Sequence, residues 1–204
     1  MIISKAVQGT EEWFGTRLGV PSASRFDQLI TAKGDPSKSR TKLLYTLAGE
    51  RVMKRREETY QSPAMARGIE LEPQARMVFE MLHDVQVDQT GFCFFDNRMD
   101  RGCSPDGLIP SIQTGLEIKC PSLPVHIEYL LGGKMPDAYY QQVHGSMYVT
   151  GYNHWYFMSY YPDMPPFIIR VEHDINFSNK LGTQLDNLCS ELSALTQKLT
   201  AMLP

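Results

Sequence analysis

The feature that most restricts the fold of this chain is its hydrophobic period, which alternates between that of a helix and that of a strand. Residues 10–82 read as helical. A helix starts at Thr10-Glu11-Glu12-Trp13 and ends near Gly19, and Ser22 or Ser24 caps a second one carrying Phe26, Leu29 and Ile30. Gly34, Asp35 and Pro36 break the chain. A longer helix follows with Leu43, Leu44, Leu47 and Val52. Another over residues 63–82 sets Met77, Val78, Met81 and Leu82 at helical spacing. The period then falls to two. Residues 85–95, 101–109 and 115–120 read as strands, with hairpin loops at 97–100 and 110–114. Next come a helix over 125–131, a helix capped by Asp137 and running to Gly151, and strands at 154–161 and 166–172. A last helix from Ser178 carries Leu181, Leu185, Leu188, Leu192, Leu195 and Leu199 on one stripe. This order predicts one α/β domain over residues 1–204, with a central mixed sheet flanked by helices.

No apolar run approaches the ~18 residues of a membrane span. The N-terminal Met1-Ile2-Ile3-Ser4-Lys5 lacks the apolar core of a signal peptide, so a cytoplasmic protein is expected. None of the cysteines Cys93, Cys103, Cys120 and Cys189 forms a C-x-x-C pair; buried free thiols are expected, not a zinc site. The net charge of −3 argues against a simple basic DNA-coating protein. Yet residues 33–56 hold eight basic and two acidic side chains, a +6 segment on a remainder of −9. A local basic belt on an acidic body fits a protein that holds a polyanion on one surface; a solvated helix face accounts for it equally well.

The chemistry concentrates on two of the strands. Asp106 stands between Pro105 and Gly107, which bend the backbone, at a strand end or bulge. Glu117 and Lys119, two apart on the next strand, share a face, while Leu116, Ile118 and Cys120 take the other. If these strands pair through the short loop, Asp106 meets Glu117 across the hairpin. Two close carboxylates raise each other's pKa unless a cation neutralises them. Oxygen ligands favour Mg²⁺ or Mn²⁺. Lys119 could then orient a water, take its proton, or steady charge on phosphoryl oxygens. The competing reading, a Glu–Lys pair on an exposed strand edge, is the better one for Glu117-x-Lys119 taken alone.

Pro105-Asp106, ten residues, then Glu117-Ile118-Lys119 resembles the PD-(D/E)XK nuclease signature. Nearly the whole chain resembles the phage lambda-type exonuclease family, also called YqaJ-like viral recombinases. The likeness is carried by Trp13-x-x-x-Arg17-Leu18-Gly19-Val20-x-x-x-Ser24, Gly68-x-x-x-Glu72-x-x-Ala75-Arg76, Cys103-Ser104-Pro105-Asp106-Gly107-Leu108, Gly115-Leu116-Glu117-Ile118-Lys119-Cys120-Pro121 and Tyr139-x-x-Gln142-Val143-x-x-Ser146-Met147.

The resemblance implies a restriction-endonuclease-like core. Asp106, Glu117 and the Ile118 carbonyl would bind metal, with two Mg²⁺ ions per site and Mn²⁺ as a substitute. Glu72 would assist through a metal-bound water, against the simpler alternative of a salt bridge to Arg76. Lys119 would be the catalytic lysine, with Tyr139 and Gln142 lining the centre. Arg17, Ser24 and Ser104 would hold a terminal 5′-phosphate; a salt bridge from Arg17 to Glu11 or Glu12 is the alternative. Trp13, otherwise a core residue, would lie near that pocket, and Met65 would be an apolar wedge at the duplex end. His144 is expected on a helix surface.

The activity implied is a metal-dependent, processive 5′-to-3′ exonuclease on duplex DNA. It would release mononucleotides and leave 3′ overhangs for recombination. The partners implied are a homotrimeric ring of this chain and a single-strand annealing protein. A sequence-nonspecific or restriction-like endonuclease of the same superfamily is the alternative.

Overall fold

The computed structural model describes residues 1–56 and 63–203. Its helices are α1 (Glu11–Thr16), α2 (Phe26–Leu29), α3 (Arg40–Met53), α4 (Pro63–His83), α5 (Leu123–Gly132), α6 (Tyr140–Thr150) and α7 (Ile175–Thr200). Thr10 starts α1 by accepting the Trp13 N–H on its hydroxyl at 3.3 Å, with Glu11 and Glu12 in the favourable first turn. Three expected caps differ. Neither Ser22 nor Ser24 caps a helix with its hydroxyl; the two lie 3.3 Å from each other beside a 3₁₀ turn, Ala23–Arg25. Asp137 lies inside a 3₁₀ turn, Asp137–Tyr139, so α6 begins only at Tyr140. The last helix starts at Ile175, three residues early, because Asp174 accepts the Phe177 N–H at 2.9 Å and Phe177 is buried.

The strands are β1 (Ile2–Ile3), β2 (Cys93–Phe94), β3 (Gly102–Cys103), β4 (Gly107–Ile109), β5 (Thr114–Lys119), β6 (His154–Ser159) and β7 (Phe167–Glu172). The first expected strand contracts to β2 and the second splits into β3 and β4. Pro105 has no N–H to give a ladder, and the chain changes sheet there. The three strands expected in one sheet therefore divide between two. β1, β2 and β3 form a small antiparallel sheet; β4-β5-β6-β7 form the mixed sheet, parallel only between β5 and β6. That parallel pair requires a crossover, supplied by α5 and α6.

Helices cover both faces of the mixed sheet. Leu116, Ile118 and Met158 pack with Ala75 and Phe79 of α4. On the other face Trp155 and Phe157 join α2, α3, α6 and α7 around Leu181, Leu185, Leu188 and Leu192, each fully buried. Burying one leucine contributes ~1.5–3 kcal/mol, so this stripe fixes α7. The helical stripe on α4 is rotated from expectation. Ala75 and Phe79 are buried and Val78 is half-buried, but Met77, Met81 and Leu82 are exposed. His144 is buried rather than on the surface, accepting the Asp174 N–H at Nδ1, and burial lowers its pKa to about 4. All four cysteines are free; Cys93 and Cys103 are buried, Cys120 and Cys189 half-buried. No described helix is long and apolar enough to cross a membrane.

Candidate active site

Asp106 is held on three sides where the chain passes from β3 to β4. Its N–H donates to the Leu116 carbonyl at 3.1 Å, its own carbonyl accepts Arg76 Nε at 3.2 Å, and its Oδ2 accepts the Ile118 N–H at 2.6 Å. The side chain thus takes over the hairpin ladder, and the cross-hairpin meeting with Glu117 forms. Gly107 does not serve as a bend; its missing Cβ would lie 2.1 Å from Val87 Cγ1, so close approach requires glycine there.

Glu117 is buried on β5, on the face that looks toward α6. Its Oε1 accepts Lys119 Nζ at 2.5 Å and Gln142 Nε2 at 2.6 Å. Its Oε2 is buried and has no partner among the described residues. Lys119 Nζ also lies 5.1 Å from the Tyr139 ring, which packs on Phe157 of β6. Tyr139 therefore packs against the sheet and borders the centre at once. The exposed-edge reading of Glu117 and Lys119 fails, because their face is covered. Glu72 makes the i,i+4 salt bridge with Arg76 that was the simpler alternative for it, at 2.5 Å. Through Arg76 it also reaches Asp106.

Negative charge is under-compensated here. Burial pushes the Glu117 carboxyl up to about 7; Lys119 pulls it back, and Asp106 adds to the rise. Burial and then Asp106 push Glu72 to about 7 against the pull of Arg76. Burial also raises Asp106, with Lys119 and the Ile118 N–H opposing. Burial alone would lower Lys119, but Glu117 and Asp106 outweigh it and hold the ammonium above the ordinary lysine range.

A cavity of about 160 Å³ adjoins this centre, lined by Trp13, Arg17, Ser24, Ser104, Asp106 and Gln142, among others. Three of its lining side chains carry buried donors without partners among the described residues: Trp13 Nε1, Arg17 Nε and Ser104 Oγ. The Arg17 guanidinium stacks 4.1 Å over the Trp13 ring, and no ion pair joins it to Glu11 or Glu12 among the described residues. Burial, then Arg56 and Arg25, lower Arg17 to about 10, which leaves it a cation at neutral pH. Trp13 also belongs to a small core with Ala6, Phe92 and Phe94, so it packs as a core residue while lining the cavity. Met65 is exposed and lines a neighbouring cleft of about 650 Å³ with Trp13, Arg17, Ile69, Glu72 and Arg56.

Among the described residues no cluster of three or more His, Cys, Asp or Glu side chains is arranged to hold a metal ion. A set of two carboxylates plus a backbone carbonyl still fits a hard cation that keeps several waters. The unpartnered Glu117 Oε2 and the raised carboxyl pKa values point the same way.

Residue-type patterns missed two members of the site. Gln8 donates to the Pro105 carbonyl at 2.8 Å and to the Thr90 carbonyl at 3.0 Å, holding the turn before Asp106. Arg56, read only as part of a basic belt, lines the cleft. Both act across long stretches of chain, and no local pattern signals that. The belt itself is divided: Arg40 pairs with Glu191 on α7, and Arg51 donates to the Gly19 carbonyl.

A model of the YqaJ-like viral recombinase domain matches residues 12–153. No curated protein matches. Among solved structures, the chain is similar to an alkaline exonuclease, LHK-Exo, from Laribacter hongkongensis. Identity is 32% and the TM-score 0.84, over 94% of this chain and 97% of that one. LHK-Exo in complex with dAMP matches with a TM-score of 0.83 at the same identity and coverage. A phage-related exonuclease from Haemophilus somnus 129PT shares 14% identity and a TM-score of 0.70, over 88% of this chain and 96% of that one. That likeness shows the fold, a restriction-endonuclease-like core.

Proposed function

Because the chain belongs to the YqaJ-like viral recombinase family and is a nuclease by that membership, we propose that it digests duplex DNA from a 5′ end, processively, releasing mononucleotides and leaving 3′ overhangs. The observation that carries the direction is the cavity beside Asp106, whose lining residues hold three buried donors unpaired among the described residues, one of them on the Arg17 guanidinium. Unpaired buried donors are costly, and a terminal phosphate dianion satisfies them. With that phosphate held by Arg17, Ser24 and Ser104, the next phosphodiester along the strand falls toward Asp106 and Glu117. The dAMP bound by LHK-Exo is the kind of product such a cut releases.

Asp106, Glu117 and the Ile118 carbonyl would hold Mg²⁺, or Mn²⁺ in its place, as two ions per site. When bound, the metals activate water for in-line attack and steady the leaving oxygen. The protein's own groups do the rest. Gln142 and Lys119 fix the Glu117 carboxylate. Arg76 fixes Asp106 and Glu72, which in turn orients water. Lys119, kept protonated by its neighbours, donates to the phosphoryl oxygens as charge grows on them. Tyr139 keeps that ammonium on one side of the centre. Trp13 backs the Arg17 guanidinium, and Met65 in the cleft parts the duplex end.

We further assign the chain to a homotrimeric ring in the cytoplasm that works with a single-strand annealing protein; the family resemblance supports this. The test is a long duplex labelled at one 5′ end, digested with Mg²⁺ under an enzyme trap. Uninterrupted loss from the 5′ end with mononucleotide release is expected. Internal fragments would assign the chain as an endonuclease instead.

A further inference from the structure

Beyond Arg17 the large cleft reaches Arg56, and Arg56 is also a wall of a separate pocket of about 290 Å³. That pocket is lined by Arg25, Tyr45, Thr46, Gly49, Glu50 and Met53 besides Arg56. Its floor is one face of α3. Tyr45, Gly49 and Met53 follow at i, i+4 and i+8, so they lie in a row. Tyr45 is 62% exposed and Met53 46% exposed, an aromatic ring and a thioether open to solvent. Gly49 stands between them inside the helix, where glycine costs roughly 1 kcal/mol relative to alanine. Packing does not require it: a Cβ there would meet only Met53 Cε, at 4.0 Å. What the glycine provides is a bare shelf beside the ring.

The walls are cationic. Glu50, 4% exposed, is fully engaged: Oε2 accepts the Gly19 N–H at 2.9 Å, while Oε1 pairs with Arg25 at 2.8 Å and meets Arg56 at 3.8 Å. Lys54 ends α3 in the left-handed conformation (φ 52), which turns Arg56 back toward Glu50. One carboxylate thus faces Arg25 and Arg56, with Arg17 near enough to feel both. Surplus positive charge at the mouth of a pocket attracts an anion. Paired cations beside an open aromatic shelf are what an unpaired nucleic-acid strand uses: a phosphate to the cations, a base to the ring. A base within a duplex has its faces stacked and cannot use the shelf.

We infer that this pocket takes one nucleotide unit of an unpaired DNA strand, with its phosphate between Arg25 and Arg56 and its base on the Tyr45–Gly49–Met53 shelf. The inference rests on the nuclease reading above, since digestion creates such a strand at the cleft that Arg56 shares. The strand held is the one left undigested.

The test uses the full chain in chelator and a fluorescent 5′-hydroxyl oligothymidylate, with binding followed across a salt series. Arg56→Gln and Arg25→Gln should each flatten the slope of log K against log salt by about 0.7. Tyr45→Ala should weaken binding about tenfold and leave the slope unchanged. Arg56→Gln and Tyr45→Ala alter exposed or half-exposed groups, so they decide the matter even if Arg25→Gln, which strips a partner from buried Glu50, fails to fold. Native slope and affinity in both variants would overturn the inference. So would displacement of the oligonucleotide by thymidine monophosphate at equal nucleotide concentration, which would mark a product site. The same preparations are assayed for mononucleotide release from blunt duplex with Mg²⁺. Absent release in the unaltered chain sinks the nuclease reading; normal release with unmoved slopes sinks only the pocket.

Discussion

Glu117 carries two opposing demands, and they make its protonation the sensitive point of the site. Its carboxyl is raised from 4.5 to about 7 by burial, with Asp106 adding to the rise. A folded chain without metal therefore holds protons that the unfolded chain has lost between about pH 4.5 and 7. Stability then falls as pH rises through that window. Thermal denaturation in chelator should show Tm dropping from pH 5 to pH 8, and Glu117→Gln should flatten the drop. Mg²⁺, which takes the place of those protons, should raise Tm more at pH 8 than at pH 6. A second prediction concerns Arg17. A charged hydrogen bond to phosphate contributes ~1.5–3 kcal/mol, so Arg17→Ala should slow digestion of 5′-phosphorylated duplex about ten- to a hundredfold, and of 5′-hydroxyl duplex far less. Equal losses on both substrates would remove the phosphate-pocket assignment. For Lys119→Met, steady-state kinetics should show kcat down on the order of 10²–10³ with little change in KM.

At the scale of elements, β4 and its neighbours set the position of Asp106. Gly107 lets the segment around Val87 pass against β4, with the bridge from Asp88 to Leu108 closing it. Gly107→Ala would force the Val87 side chain or the strand aside, at about 1–3 kcal/mol. Because Asp106 is the preceding residue, the same change should lower kcat, whereas a core truncation remote from the site should not. Leu185→Ala on α7 is the comparison: about 2–5 kcal/mol lost in denaturant titrations, with kcat retained in the folded fraction. The elements also show why some were misjudged. Short strands such as β2 and β3 owe their pairing to each other and to β1, not to a long alternation. The expected α4 stripe combined residues from two faces: Val78 packs beside Ala75 and Phe79 against the sheet, whereas Met77, Met81 and Leu82 lie on the exposed side.

At the scale of the molecule, a net charge of −3 opposes DNA at long range, and the cations that hold it are local. Duplex affinity should therefore fall steeply with salt, with a slope set by the few arginines at the cleft and not by the 20 basic residues overall. The candidate centre itself was legible in the sequence. A period of two puts Glu117 and Lys119 on one side of a strand whatever surrounds it, and a proline before Asp106 interrupts the ladder in any fold. Local backbone geometry determines both, as it determines the order of helices and strands. What only the tertiary structure decided is the company those residues keep. Gln8 reaches Pro105, Gln142 reaches Glu117, Arg56 turns back to Glu50, and Arg17 shares a cavity with Ser104. Each pairing joins segments distant along the chain, brought together by core packing. Spacing alone thus put Glu117 and Lys119 on one face with Asp106 across the hairpin, but the burial that raises both carboxyls exists only once helices close over both faces of the sheet.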